Sequence, residues 1–85
     1  MNKYLTLIER SFADKNFVAR LLHDSIPEYQ DLTVEYIEQE LVMDEEADIK
    51  CILDKNGEVE KIVVNFTAES PDDSGYIGFT VNFVL

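Results

Sequence analysis

The chain has 85 residues, 46% of them apolar, and a formal net charge of −11. This length allows one small domain with a single core, and the apolar content is too high for a disordered acidic segment. The negative field of such a protein repels nucleic acid and anionic lipid and attracts basic protein surfaces. We therefore expect one folded domain over residues 1–85 that does not bind DNA, RNA or membranes directly.

A single cysteine, Cys51, excludes an internal disulfide bond. The sequence contains no basic-then-apolar secretion signal and no run of apolar residues long enough to cross a membrane. Together these features predict a soluble, cytoplasmic protein.

The first part of the chain, residues 2–25, carries apolar side chains at helical spacing in two sets separated by a five-residue step. This pattern predicts either one bent helix or two short helices. Asp14 is a good N-cap for a second helix, because its carboxylate can accept the free N–H groups of the first turn. Pro27 should end the helical region, since the residue before a proline avoids the α-helical conformation. The two sets are Leu5, Ile8 and Phe12, then Phe17, Leu21 and Leu22.

The most unusual segment is 26–49, in which nine acidic residues occur without one Lys or Arg. Within it, residues 33–43 fit two structures. Their β-branched and aromatic side chains favour a strand, whereas Val34, Ile37 and Leu41 fit one face of a helix. We predict a strand, with a bulge where the alternation breaks at Ile37.

A β-hairpin should follow, because the hydrophobic period changes to two at Ala47 and the Asn56-Gly57 pair is typical of a type I′ turn. The turn fixes the register of the two strands. The predicted pairs are Cys51 with Ile62, Ile49 with Val64 and Ala47 with Phe66 on the buried face, Asp48 with Asn65 and Ile52 with Lys61 on the other face, and Lys55 with Glu58 at the turn.

Residues 76–85 alternate between apolar and mainly polar side chains, which predicts a last strand with one buried face. The polar segment 71–75 provides the connection before it. Overall, the sequence predicts an α+β domain, in which an N-terminal helix or helix pair packs on one face of a four-stranded antiparallel meander sheet. The buried face of the last strand consists of Ile77, Phe79, Val81, Phe83 and Leu85.

In a meander, the first and third connections lie at the same end of the sheet, because alternate turns share an end. The first connection here carries three acidic residues and so does the third, and neither carries a base. We therefore predict an anionic surface that binds a partner. Its residues are Glu35, Glu38, Glu40, Asp44, Glu45, Glu46, Asp48, Glu69, Asp72 and Asp73.

The sequence offers few groups for catalysis or metal binding. One His and one Cys are too few for a zinc site, and no glycine-rich phosphate loop is present. His23, Asp24 and Ser25 are consecutive, so they should not face one another on a helix as a catalytic relay requires. The segment 54–58 begins like a calcium loop. It lacks the glycine that such a loop needs at its sixth position and the Glu that closes it at its twelfth. We expect no catalytic residue, no metal and no cofactor.

Two functions fit these features. The first is a small acidic inhibitor that binds a basic, nucleic-acid-handling protein, as immunity proteins (antitoxins) do against nuclease toxins and as phage nucleic-acid mimics such as anti-CRISPR or anti-restriction proteins do. The second is a non-catalytic structural or oligomeric accessory protein in which the acids only confer solubility. In that case a homodimer could bury Ile52, Val63 and Val84 on the open face of the sheet.

Overall fold

A computed structural model describes residues 2–85 and shows an α+β domain with a three-stranded antiparallel sheet. The helices come first in the chain and the strands follow. The helical elements are α1 (Lys3–Phe12), α2 (Lys15–Ser25), a 3-10 turn (Pro27–Tyr29) and α3 (Val34–Tyr36), which continues directly as a π-helical turn (Ile37–Leu41). The strands are β1 (Asp48–Leu53), β2 (Val59–Glu69) and β3 (Tyr76–Val84), in the order β1-β2-β3.

The N-terminal region forms two short helices, which decides between the two predicted alternatives. The carboxylate of Asp14 accepts a hydrogen bond from the backbone N–H of Asn16 at 2.9 Å, so the predicted N-cap of α2 is confirmed. Ile26, the residue before Pro27, has φ −115° and ψ 115° and ends α2 as expected. Within residues 2–85 no helix is both long and apolar enough to cross a membrane.

The strand predicted over residues 33–43 is wrong, because this segment is helical up to Leu41. Thr33 caps α3 by accepting a hydrogen bond from the N–H of Tyr36 at 3.1 Å. A helix places Ile37 and Leu41 together in the core and leaves Glu35 and Gln39 exposed. In a strand, the face that buries Ile37 and Leu41 would also bury Glu35 and Gln39. Burying an Ile or Leu side chain contributes about 1.5–3 kcal/mol to stability, which is more than the roughly 1 kcal/mol span of strand propensity.

The β1–β2 register is the predicted one from Asp48 opposite Asn65 to Ile52 opposite Lys61. The predicted type I′ turn is wrong. Gly57 N–H donates to the Asp54 carbonyl at 3.1 Å, and in the described chain only Gly57 of the Asn-Gly pair has positive φ, at 80°.

The loop is therefore one residue longer than predicted, and the register there is displaced by one. Asp54 N–H bonds to the Glu58 carbonyl at 2.8 Å, so Lys55 does not pair with Glu58. A bulge between Ile52 and Leu53 then restores the predicted register. The strand begins at Asp48, one residue after the predicted pair that involves Ala47.

The last strand pairs with β2 without interruption, from Tyr76 opposite Glu69 to Val84 opposite Lys61. Its predicted face alternation holds through Phe83, but Leu85 is 49% exposed and does not belong to the buried face. The turn before it needs two left-handed residues, Asp73 at φ 64° and Gly75 at φ 126°.

The helices cover one face of the sheet and form a single core with it. Ile62, Val64 and Ala68 of β2 lie at the centre of this core, each with no exposed surface. Phe12 of α1 packs edge-on against Phe83 of β3, with ring centroids 6.3 Å apart. Among residues 2–85, no helix covers the other face of the sheet.

Candidate functional site

The chain segments that carry the ten acidic residues predicted to bind a partner adjoin the half of the sheet in which β2 ends. Val42 lies opposite Ala68, Asp48 lies opposite Asn65, and the β2–β3 turn follows Glu69. The sequence predicted that a first strand leads into the acidic connection before β1. That prediction was wrong, because the preceding segment is helical. Glu35, Glu38 and Glu40 belong to α3 and its π-helical turn, Asp44, Glu45, Glu46 and Asp48 to the connection into β1 and its first residue, and Glu69, Asp72 and Asp73 to the end of β2 and the next turn.

Two of these carboxylates hold the acid-rich segment against α2. Asp44 forms an ion pair with Lys15. The hydrogen bond from the Lys15 ammonium, followed by its charge, lowers the pKa of Asp44. Glu38 accepts a hydrogen bond from Nδ2 of Asn16 at 2.8 Å. Both acids therefore have partners at the start of α2.

A third carboxylate, that of Asp72, shapes the β2–β3 turn. The Ser70 hydroxyl and the Ser74 backbone N–H, the latter at 3.1 Å, both donate to its Oδ1. These hydrogen bonds, led by that of Ser70, lower the pKa of Asp72. Asp72 thus acts within its own turn.

Three other carboxylates, those of Glu40, Glu69 and Asp73, line one shallow polar depression. Tyr36 and Tyr76 also line it, and they are 47% and 66% exposed. None of the described residues around it is basic. We call this surface the acid–tyrosine depression.

Regular structure fixes each of the three acids in the acid–tyrosine depression. Glu40 lies in the π-helical turn, which is closed by a 2.9 Å hydrogen bond from the Val42 N–H to the Ile37 carbonyl. Glu69 ends β2, and the hydroxyl of the buried Tyr29 donates to its carbonyl at 2.8 Å. Asp73 occupies one of the two left-handed positions of the β2–β3 turn. The carboxylates are therefore mounted on backbone that is already ordered.

Uncompensated carboxylates and exposed tyrosines together suit a cationic side chain. Two unit charges about 8 Å apart in water repel by roughly 0.5 kcal/mol, and an arriving cation relieves that repulsion. A tyrosine ring adds a cation–π contact worth about 0.5–1 kcal/mol at an exposed site. The acid–tyrosine depression is thus suited chemically to binding Arg or Lys side chains of another protein.

A second acidic surface lies on the open face beside β1. Glu45, Glu46 and Asp48 line a groove there, which crosses β2 at Thr67 and reaches Thr80 of β3. Its charge is partly compensated, because Lys50 Nζ lies 3.7 Å from a carboxylate oxygen of Asp48. We call it the β1 groove, and we regard it as the weaker of the two cation-binding surfaces.

The sequence analysis missed two members of the acid–tyrosine depression, and seven of its ten acids lie outside that depression. Tyr36 was assigned to a strand, and Tyr76 was placed only on the face opposite the buried one. Glu35 is exposed but lines neither acidic surface. An exposed aromatic residue close in sequence to unpaired acids is the signal that could have identified both tyrosines.

The groups considered for catalysis have other surroundings. His23 Nδ1 lies 2.8 Å from Asp24 Oδ1, so the expectation that these neighbours do not meet is wrong. The pair is at the surface, at the end of α2. Cys51 is half-buried and packs against the core. Among residues 2–85, no three His, Cys, Asp or Glu side chains are grouped so that they could hold a metal ion.

No known protein family matches this chain, and comparisons with curated proteins and with solved structures find no match either.

Proposed function

We propose that this protein is a small non-catalytic inhibitor whose acidic end binds a basic, nucleic-acid-handling partner. An immunity protein against a nuclease toxin and a phage-encoded nucleic-acid mimic of the anti-CRISPR or anti-restriction type are the two forms such an inhibitor takes. A cytoplasmic location is part of this proposal. The partner would present Arg and Lys side chains that normally contact phosphates.

The acid–tyrosine depression is the observation that carries the proposal. Its three carboxylates come from three different elements, and no base lines it among the described residues. Groups spread in this way can contact several cations of one surface, as successive phosphates of a nucleic-acid strand do. The β1 groove adds a second negative surface on the open face of the sheet.

The two tyrosines support a protein partner in particular. Exposed acids alone give mainly a fast, salt-sensitive encounter. Tyrosine is enriched among the residues that dominate binding energy at protein interfaces, because its ring contributes contact area and its hydroxyl a hydrogen bond. Tyr36 and Tyr76 would supply the part of the affinity that salt does not screen.

A matched pair of charge reversals tests the proposal. Glu69→Lys with Asp73→Lys changes the acid–tyrosine depression, whereas Glu58→Lys with Glu60→Lys makes the same charge change at the opposite end of β2. Binding and inhibition should be measured against purified basic nucleases and DNA-binding proteins, beside equally basic proteins that do not act on nucleic acid. We expect the first variant to weaken binding about tenfold or more and the second to change it less than threefold.

The proposal would be wrong if both reversals weakened binding equally, since net charge would then be the cause. It would also be wrong if the wild-type protein inhibited none of the nucleic-acid-handling proteins, or bound them no better than the other basic proteins. Circular dichroism of each variant checks that its fold is retained.

A structural or oligomeric role is the second candidate. It is supported by apolar residues on and beside the open face at the hairpin end of the sheet, where Ile52 is 41% and Val84 is 78% exposed. In that role the acids would contribute solubility only, and neither charge reversal would affect function.

A further inference from the structure

One edge of the sheet has the features of a pairing surface. β3 lies at the edge of the sheet order, so one side of its backbone has no strand beside it within residues 2–85. Such an edge exposes N–H and C=O groups that can pair with another strand. Proteins usually protect an edge of this kind with charges, prolines, bulges or a short length.

The backbone hydrogen bonds identify the groups that face outward from β3. Leu85 N–H donates to the Glu60 carbonyl at 3.1 Å, and Ser70 N–H donates to the Gly75 carbonyl at 2.8 Å, at the two ends of an uninterrupted ladder. Hydrogen-bonded and non-hydrogen-bonded pairs alternate along an antiparallel ladder. The odd-numbered residues of β3 therefore bond to β2. The backbone groups that face outward belong to Tyr76, Gly78, Thr80, Asn82 and Val84.

This edge has none of the usual protection. All 7 basic and all 18 acidic residues of the protein lie at or before Asp73, so β3 carries no charge. It contains no proline, and its pairing with β2 shows no bulge. At nine residues it spans about 30 Å, longer than most strands in globular proteins.

We propose that β3 pairs with β3 of a second copy of this chain, antiparallel and centred on Thr80, to form a continuous six-stranded sheet. Centring on Thr80 aligns the whole strand. On the helix-covered side, Ile77 meets Phe83 of the other copy and Phe79 meets Val81. On the open side, Tyr76 meets Val84, Gly78 meets Asn82 and Thr80 meets Thr80.

Each of these pairs is favourable or neutral. Aromatic residues opposite aliphatic ones, and Thr opposite Thr, are among the stabilising cross-strand pairs. In this register every outward-facing N–H meets a C=O of the other copy. The side chains of Phe79 and Phe83 are only half-buried in one copy, so pairing would complete their burial.

The register indicates a second copy as the occupant, because β3 is complementary to itself: every pair across the two-fold axis is favourable or neutral. Two molecules of charge −11 repel, but β3 itself places no charged residue opposite another. Screening should therefore strengthen the dimer, since the Debye length falls from about 10 Å at 0.1 M salt to about 3 Å at 1 M. Binding of a basic partner through the acid–tyrosine depression should weaken over the same range.

Sedimentation equilibrium over a concentration series, at about 0.1 M and about 1 M NaCl, tests the proposal. We expect a reversible dimer that tightens with salt. Thr80→Lys places two lysines opposite each other at the two-fold axis and should weaken the dimer about tenfold or more. Thr67→Lys is the matched control. Thr67 is exposed on the same face of the sheet as Thr80 but lies in the central strand β2, and each substitution removes one side-chain hydrogen bond.

Amide exchange identifies the interface. In concentrated protein relative to dilute protein, the amides of Tyr76, Gly78, Thr80, Asn82 and Val84 should gain protection. A monomer at concentrations up to about 1 mM in high salt would overturn the proposal. So would a dimer that leaves these amides unprotected, or one that Thr67→Lys weakens as much as Thr80→Lys does.

Discussion

The two edges of the sheet differ in length, charge and neighbours. β1 has six residues, includes Asp48 and Lys50, and pairs with β2 through a bulge near its end. By the same alternation that orients β3, only Ile49 and Cys51 in the regular part of β1 direct their backbone groups outward. β3 has nine residues, no charge and five outward-facing residues.

This difference indicates that a net negative charge does not by itself protect the edge of a sheet. What matters is where the charges lie along the chain. The β1 side has charged side chains and a short edge, which are the usual protections. The β3 side has neither, although the whole molecule carries a net charge of −11. One edge of the sheet thus has these protections and the other lacks them.

The largest expected effect tests which backbone groups of β3 face outward. Val81→Pro removes an N–H that bonds to β2 and should cost about 3 kcal/mol or more of unfolding free energy. Thr80→Pro removes an outward N–H and the 2.7 Å hydroxyl bond to Asn65, so it should cost only about 1 kcal/mol. Urea denaturation of dilute protein measures both.

Val81→Ala is the control for the Val81→Pro result, because it removes the side chain but leaves the N–H. It should account for only part of the loss. Equal losses for Thr80→Pro and Val81→Pro would show that the two sides of β3 are not distinct.

A smaller effect on stability is expected at the cap of α3, where the structure has a helix instead of the predicted strand. Thr33→Ala removes the cap of α3 and should cost about 1 kcal/mol of unfolding free energy, because the Tyr36 N–H loses its partner. Thr33→Ser keeps a hydroxyl and should cost far less. If Ser were as damaging as Ala, burial alone would keep this segment helical.

The smallest effect concerns the turn that leads into β3. The pKa of Asp72 is lowered in the folded protein, so its carboxylate adds stability that is present above the ordinary value of 3.8 and is lost as pH falls through the folded pKa. Asp72→Asn should therefore have a lower Tm than the wild type at pH 7, and the gap should close as pH falls below 3.8 and through the lower pKa of the folded protein.

Thermal melts across this pH range measure the Asp72 contribution. Ser70→Ala removes one of the two donors to the carboxylate and should give a smaller gap of the same sign. A gap that stays constant with pH would mean that the ionised form has no special role in the turn.

Sequence was a good guide wherever one local signal agreed with the period of hydrophobicity. Asp14, with its cap geometry, marked the start of α2, and the period of two gave the register of β1 and β2 and the faces of β3. The turn type was wrong, yet the register survived because the longer loop and the bulge at Leu53 cancel. Such a cancellation has no signal in the sequence.

Residues 33–43 were wrongly predicted as a strand because their local and tertiary preferences conflict. Val34 and Tyr36 favour a strand, whereas burying Ile37 and Leu41 without burying an acid needs a helix. Predicting the acid–tyrosine depression required the helix, because Tyr36 and Glu40 lie in this segment. The ten acids could be named from the sequence, but it did not indicate that Glu38, Asp44 and Asp72 have partners within the fold.

Tyr29 gives this domain an optical property of its own. The chain has 4 tyrosines and no tryptophan, and Tyr29 is the tyrosine with 0% exposure. Burial, and then the charge of Glu28, raise the pKa of Tyr29 above 10.0, so the stability it contributes is lost as pH rises through that higher value. A rise in ultraviolet absorbance from ionisation of the Tyr29 phenol at high pH would therefore report the opening of the core without any added label.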